Sequence, residues 1–270
     1  MFLGSIATTT QRLGFYPIIA VLLSGTAGGL FAVGTLLGLL VRLPLIGINQ
    51  FIPPVAASLH SDGQQAALLR LYQTTSHLVV TGTTFLAAVV IVFRRPIMAS
   101  FDAAFVEFAW LLPGFVIAQF VACGAGSVGL LLMMTDNQKP YLAVNTVLTV
   151  VVLGATVSLT LAYGLPGLVG GYLLMLTLNN VAEVAVLHHF AGLQPLTRDH
   201  LVPLGATVPL AAVLLAVRAV LAGPVGILVG AVLGGVVYGA VLVRAGVPPV
   251  ERKLLGTLRA RYEERLASVV

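Results

Sequence analysis

The chain has 270 residues, 59% of them hydrophobic and 9% charged, with a mean hydropathy of +1.05. Soluble domains carry about 25% charged residues, so this composition excludes a water-soluble globular protein. The net charge of +5 does not indicate nucleic-acid binding, because six of the fourteen basic residues (Arg244, Arg252, Lys253, Arg259, Arg261 and Arg265) follow Val243, as at a cytoplasmic membrane flank.

A hydrocarbon core about 30 Å thick needs about 20 apolar residues per helix. Stretches of that size fall at 2–23, 28–51, 71–93, 108–133, 141–163, 166–187, 202–221 and 224–243. Lipid offers no partner for free backbone groups, and the period-two alternation of a barrel is absent, so all are read as helices. The fold class is an all-α polytopic membrane protein with about eight transmembrane helices. It divides into a six-helix lobe over 1–190, two additional helices over 191–243 and a cytoplasmic amphipathic basic tail over 244–270.

The first stretch lacks a basic leader before Arg12, so it is not read as a signal peptide. Arg12 follows Thr8, Thr9, Thr10 and Gln11. Only the run Ser24-Gly25-Thr26-Ala27-Gly28-Gly29 marks a turn before the second stretch, and seven spans is the alternative count. Arg42 lies in the second stretch before Pro44, with Asn49 and Gln50 beyond it. An Arg at a helix centre costs about 2.5–3.5 kcal/mol to insert, so such residues usually face a bundle interior or a wet cavity. A cavity lined by Arg12 and Arg42 suits an anionic headgroup, because guanidinium pairs with phosphate through its planar fork. The competing reading is that both snorkel to an interface, or that Arg12 lies outside the bilayer.

Arg94-Arg95-Pro96 closes the third stretch, and 97–108 is expected to lie flat at the outer interface. Gly124-Ala125-Gly126-Ser127-Val128-Gly129 matches a dinucleotide fingerprint. That fingerprint needs a strand before it, and here it lies in an apolar span, so close helix packing is the expected reason for the glycines. Cys123 is the single cysteine, which excludes an intrachain disulfide. In the sixth stretch Glu183 follows Asn179 and Asn180 and is the only acidic residue within a span. It is either an ion-coupling site or a carboxylate solvated or paired near a helix end. Gly226, Gly230 and Gly234, and Gly34 with Gly38, form small-residue stripes expected to pack helices within the molecule. In the tail, Leu254, Leu255, Leu258, Tyr262, Leu266 and Val269 recur at helical spacing, as in a helix lying on the inner leaflet.

No zinc spacing and no Ser/His/Asp arrangement is legible, so no enzyme, metal or cofactor is expected. With eight spans, Arg70, Lys139, Arg198 and the six tail residues share one side, against Arg94, Arg95 and Arg218 on the other. That bias places both termini in the cytoplasm, in the cytoplasmic membrane.

Several strings resemble one family. Ile48-Asn49-Gln50-Phe51-Ile52-Pro53-Pro54-Val55-Ala56-Ala57-Ser58-Leu59, followed by Leu68-Leu69-Arg70-Leu71-Tyr72, resembles the eighth-helix end and following loop of Wzx-type polysaccharide flippases. Gly126-Ser127-Val128-Gly129-Leu130-Leu131-Leu132-Met133-Met134-Thr135-Asp136-Asn137-Gln138-Lys139 resembles that family's tenth helix and its cytoplasmic loop. Asn145, Tyr163-Gly164-Leu165-Pro166-Gly167-Leu168 and Gly192-Leu193-Gln194-Pro195 follow in matching order. The resemblance implies the multidrug/oligosaccharidyl-lipid/polysaccharide exporter fold, of which the chain covers the second lobe and final two helices. It also implies flipping of lipid-linked oligosaccharide or polysaccharide precursors across the membrane. The implied partners are membrane lipids, a polyprenyl-linked glycan, and either a separately encoded first lobe or a second copy. The family's second lobe commonly has a cationic cavity, which agrees with Arg12 and Arg42, beside Asn49 and Gln50, as substrate-binding candidates; Glu183 is an ion-coupling candidate from its place within a span. Two rivals stand beside this reading. A cation-coupled drug antiporter predicts an essential Glu183. A non-transporting scaffold for glycan assembly predicts that the arginines are dispensable and the basic tail is not.

Overall fold

The computed structural model describes residues 14–23, 25–221 and 223–246. Arg12 and the tail beyond Gly246 lie outside the described residues. Among those described there is no strand, and six helical segments are long and apolar enough to cross a membrane. They are Gln65–Val92, Ala103–Met134, Gln138–Tyr163, Leu165–Ala191, Arg198–Val220 and Gly223–Ala245. The protein is therefore an all-α, multi-pass membrane protein in its architecture. Each of these segments overlaps one expected from hydropathy.

The first two expected spans do not reach that length among the described residues. The first is represented by α1 (Phe15–Leu22). The second is divided into α2 (Gly25–Val41), α3 (Leu43–Ile48) and α4 (Ile52–Ser61). The divisions follow from proline chemistry. Pro44 stands in the first turn of α3, and Pro53 and Pro54 in that of α4. A proline has no N–H to give the carbonyl four residues back, so those of Leu40, Asn49 and Gln50 lose that partner.

The central element is α5 (Gln65–Val92), which packs against α3 and α4 as well as later helices and buries Tyr72, His77, Val79 and Val92. After it come the short α6 (Arg94–Phe101) and a 3₁₀ helix over Ala103–Leu111. Asp102 begins that 3₁₀ turn by accepting from the Ala104 amide at 2.8 Å. The segment expected to lie along the interface is thus two helical pieces broken at Asp102. They lead into α7 (Leu112–Gly124), α8 (Val128–Met134) and the hairpin α9 (Gln138–Tyr163) and α10 (Leu165–Ala191). The last part comprises a 3₁₀ turn at Arg198–His200, α11 (Leu201–Gly205), α12 (Thr207–Val220) and α13 (Gly223–Ala245).

Four apolar clusters hold the helices among the described residues, the smallest being Leu45, Val79 and Cys123. The largest joins α1, α2, α5, α7, α9 and α10 around Phe15, Phe31, Phe115 and Leu168. A second joins α4, α5, α8 and the end of α10 around Ala56, Leu68, Leu132 and Leu187. A third seats α12 and α13 on α5 through Phe93, Leu210, Leu214 and Tyr238. Gly230 and Gly234 serve this last contact. A Cβ at Gly230 would lie 2.7 Å from the Phe93 ring, and one at Gly234 2.9 Å from Leu210. The small-residue stripe is therefore an intramolecular packing face, as expected. In the Ala103–Met134 span 67% of the most apolar window is buried, against 22% for α9 and α13. The outward faces of α9 and α13 carry Val147, Val150, Leu161, Leu228 and Val232 exposed, a surface that water would penalise and lipid accepts.

The connections sort onto two faces. On one, Gln65 at the start of α5 donates to the Ala191 carbonyl at the end of α10, at 2.6 Å. Gly192 ends α10 there with φ +66°, the left-handed conformation that closes a helix. His60 and Asp136 approach to 3.8 Å on the same face. On the other, Arg218 donates to the Val92 carbonyl at 2.8 Å and Arg94 to that of Ile91 at 3.1 Å. Both arginines serve carbonyls at the C-terminal end of α5, where a cation also meets the negative end of the helix dipole.

Candidate functional site

Two interrupted helical runs pass close to one another, and a cavity opens beside them. The first is α2–α3–α4. The second is α7–α8, interrupted at Ala125, Gly126 and Ser127. Gly126 has φ +63°, so it turns the chain rather than continuing the helix. Close packing is part of its use as well, since a Cβ there would lie 3.2 Å from the Tyr72 ring. Gly124 faces open space.

The interruption exposes backbone carbonyls, and neighbouring side chains satisfy them. The Tyr72 hydroxyl donates to the Ala125 carbonyl at 2.6 Å, and Ser76 Oγ to that of Gly124 at 3.2 Å. Ser127 Oγ donates to Asn49 Oδ1 at 2.6 Å, which ties this break to the one between α3 and α4. Irregular backbone at membrane depth is stable only where it is held in protein or borders a wet cavity; both conditions are met here.

The cavity has a volume of about 880 Å³. Arg42, Asn49, Gln50 and Glu183, four of the five residues singled out in the sequence, all line it. Arg42 is the single-residue junction between α2 and α3, so the Pro44 break places its side chain at the cavity wall. It is partly buried, like Asn49 and Glu183, whereas Gln50 is exposed. The fifth residue, Arg12, is outside the described residues.

Glu183 is neither free at a helix end nor in a close ion pair. Its Oε1 accepts from Asn145 Nδ2 at 3.0 Å, joining α9 to α10 across the hairpin. Among the described residues, no Arg or Lys lies within 4.0 Å of its carboxylate. Asn145 also donates to the Tyr141 carbonyl at 3.1 Å. Among the described residues the cavity thus holds one guanidinium, one carboxylate and several amides, with apolar helices around them.

Sequence reading missed part of the wall. Tyr172, Met175, Leu176, Asn179, Asn180 and Glu183 line the cavity from one helix. Their spacing of three and four residues puts them on one face of α10. The signal was legible once Glu183 was taken as facing a lumen. Gln119 also lines the cavity and is the lone amide in the apolar run of α7. Its Nε2 donates to the Tyr172 hydroxyl at 2.6 Å. Gly38 makes room for it, since a Cβ there would sit 3.0 Å from Gln119 Cγ.

The wall combines polar and charged groups, Arg42, Asn49, Gln50 and Glu183, with an aromatic cluster. In that cluster, Phe15, Phe31, Phe115 and Tyr172 pack with centroids 5.3–5.8 Å apart, mostly edge to face. Gly34 lets Phe115 approach α2, as a Cβ there would collide with the ring. Among the described residues no group of three or more His, Cys, Asp or Glu could hold a metal. Sequence comparison returns no matching family model and no matching curated protein.

Proposed function

We propose that this chain forms part of a transporter that flips lipid-linked oligosaccharide or polysaccharide precursors across the cytoplasmic membrane, with the Arg42 cavity receiving the anionic headgroup. The observation that carries this reading is Arg42 facing a cavity of about 880 Å³ together with Asn49 and Gln50, inside a bundle of apolar helices. A guanidinium in such a place attracts phosphate oxygens through charge-assisted, bidentate hydrogen bonds, and the neighbouring amides add neutral donors. The resemblance of the strings around Asn49 and Gly126 to Wzx-type flippases supports the same reading, because both strings border the cavity. In that family two lobes surround the substrate, so the working unit here is proposed to include a separately encoded first lobe or a second copy.

Movement is proposed to use the interrupted helices. Discontinuous helices beside a central site are how many transporters expose one site to each side in turn. The breaks at Arg42, at 49–51 and at Gly126 supply such joints.

The test is equilibrium binding of radiolabelled geranyl pyrophosphate to the full chain in lipid nanodiscs. Arg42→Ala is expected to weaken binding by about ten- to a hundredfold, the range for losing a charged hydrogen-bonded pair. Unchanged affinity at normal expression would overturn the assignment of Arg42. Headgroup transport retained in an Arg12→Ala/Arg42→Ala variant would do the same for the pair.

The cation-coupled antiporter remains the second reading, and one observation favours it. Glu183 is held by Asn145 on the wall of the same cavity, where a carboxylate bound by an amide suits a proton or sodium ion.

A further inference from the structure

The cavity wall contains two buried polar atoms without a partner among the described residues. Gln119 and Asn179 are 94% and 95% buried, given their 6% and 5% exposures, and both line the cavity. Gln119 Nε2 is taken up by the Tyr172 hydroxyl and Asn179 Nδ2 by Met175 Sδ at 3.6 Å. Gln119 Oε1 and Asn179 Oδ1 have no hydrogen-bond partner among the described residues. A buried carbonyl oxygen left unpaired is costly, and native proteins seldom keep one without a use. Two such atoms on adjoining helices, bordering the same lumen, indicate a place where a ligand completes the hydrogen bonding.

The chemistry of that ligand follows from the amides. As oriented, both orphan atoms are acceptors and call for donors. Turned over, each amide would offer an N–H instead. A hydroxyl is donor and acceptor at once, so it satisfies either orientation, whereas a carboxylate or phosphate satisfies only one. Both oxygens lie beneath the cavity wall, so a ligand in the lumen reaches them only when the Gln119 and Asn179 side chains swing toward it. The walls are aromatic: Tyr16 is 43% exposed and lines the cavity beside the partly buried Tyr172. An aromatic face beside carboxamides fits the C–H face and hydroxyl rim of a neutral sugar ring.

We propose that Gln119, Asn179 and Tyr172 form a subsite for a neutral, polyhydroxylated ring on the wall of the cavity that Arg42 also lines. This deepens the flippase reading and rests on it for the natural ligand, but the subsite has its own ligand chemistry. Tyr172 and Glu183 are eleven residues apart on α10, about 16 Å along the axis at 1.5 Å per residue. That length of wall accommodates a sugar ring together with its headgroup phosphate.

The experiment uses the full chain in lipid nanodiscs and three labelled probes: geranyl β-glucoside, geraniol and geranyl pyrophosphate. The wild type is expected to bind the glucoside about tenfold or more tightly than geraniol, and the ratio to fall toward one in a Gln119→Leu/Asn179→Leu variant. Equal binding of glucoside and geraniol by the wild type overturns the subsite, with water then being the partner of both amides. An unchanged ratio in the double variant overturns it too. The wild-type comparison stands even if the double variant fails to fold. A glucoside preference that survives while geranyl pyrophosphate fails to bind supports the subsite and removes the flippase reading instead.

Discussion

At the scale of single residues, the cavity has few charges, so each has a separable effect. Glu183 and Arg42 share one lumen without touching at ion-pair distance. Glu183→Gln removes a negative charge and keeps an oxygen for Asn145. On the flippase reading the variant binds geranyl pyrophosphate severalfold more tightly, since like-charge repulsion over such distances is on the order of 1 kcal/mol at an effective dielectric near 20. On the antiporter reading the same variant abolishes ion-coupled transport in proteoliposomes. One variant with two readouts therefore separates the readings. Gly34 gives a packing prediction. Gly34→Val drives a branched side chain into the fully buried Phe115 ring. It is expected to cost about 1–3 kcal/mol, seen as a lower apparent melting temperature of the detergent-solubilised protein.

At the scale of elements, the interruptions shape the site. The breaks at Pro44 and Pro53-Pro54 are written in the sequence, because proline cannot continue the hydrogen-bond ladder. The break at Gly126 is not. Glycine in an apolar helix usually permits close packing, and only the partners Tyr72, Ser76 and Asn49, distant in sequence, hold this one in a left-handed turn. Gly126→Ala places a Cβ at φ +63°, 3.2 Å from the Tyr72 ring. It is expected to cost about 1–2 kcal/mol and to speed amide hydrogen exchange at the start of α8. Normal exchange and stability would show that the turn does not need glycine. The proline breaks also explain why the second apolar stretch does not reach spanning length as one helix among the described residues. An apolar window registers residues 28–51 as continuous, but backbone chemistry divides them.

At the scale of the whole molecule, the chain is a membrane bundle whose connections lie on two faces. The basic residues on the less basic face are accounted for in part by α5. Arg94 and Arg218 bond its terminal carbonyls, so their placement answers a local need as well as a topological one. Arg218→Ala leaves the Val92 carbonyl without this donor and is expected to destabilise the seat of α12 and α13 by about 1–3 kcal/mol, measured as faster proteolysis of the loop before α11. Orientation can be read directly, because the native Cys123 is fully buried and contributes little background labelling. With cytoplasmic termini, Lys139→Cys is expected to react with an impermeant maleimide only in inside-out vesicles, and Tyr163→Cys only in right-side-out ones. The reverse pattern would invert the proposed topology.

The sequence by itself determined the solvent and the class of fold. Composition and unbroken apolar length are properties of the chain alone, and lipid permits them only as helices. It also marked Arg42, Asn49, Gln50 and Glu183, since polar groups inside apolar stretches are costly enough to stand out without a structure. What the tertiary structure decided was their company. Arg42 and Glu183 are 141 positions apart, and hydropathy carries no information about which helices adjoin. Packing at Gly34 and Gly38 brings α2 against α7, and Gly114 lets α7 meet Val169 of α10. That packing makes one lumen of residues from five separate stretches, and it leaves Gln119 and Asn179 beside it with oxygens that no group among the described residues satisfies.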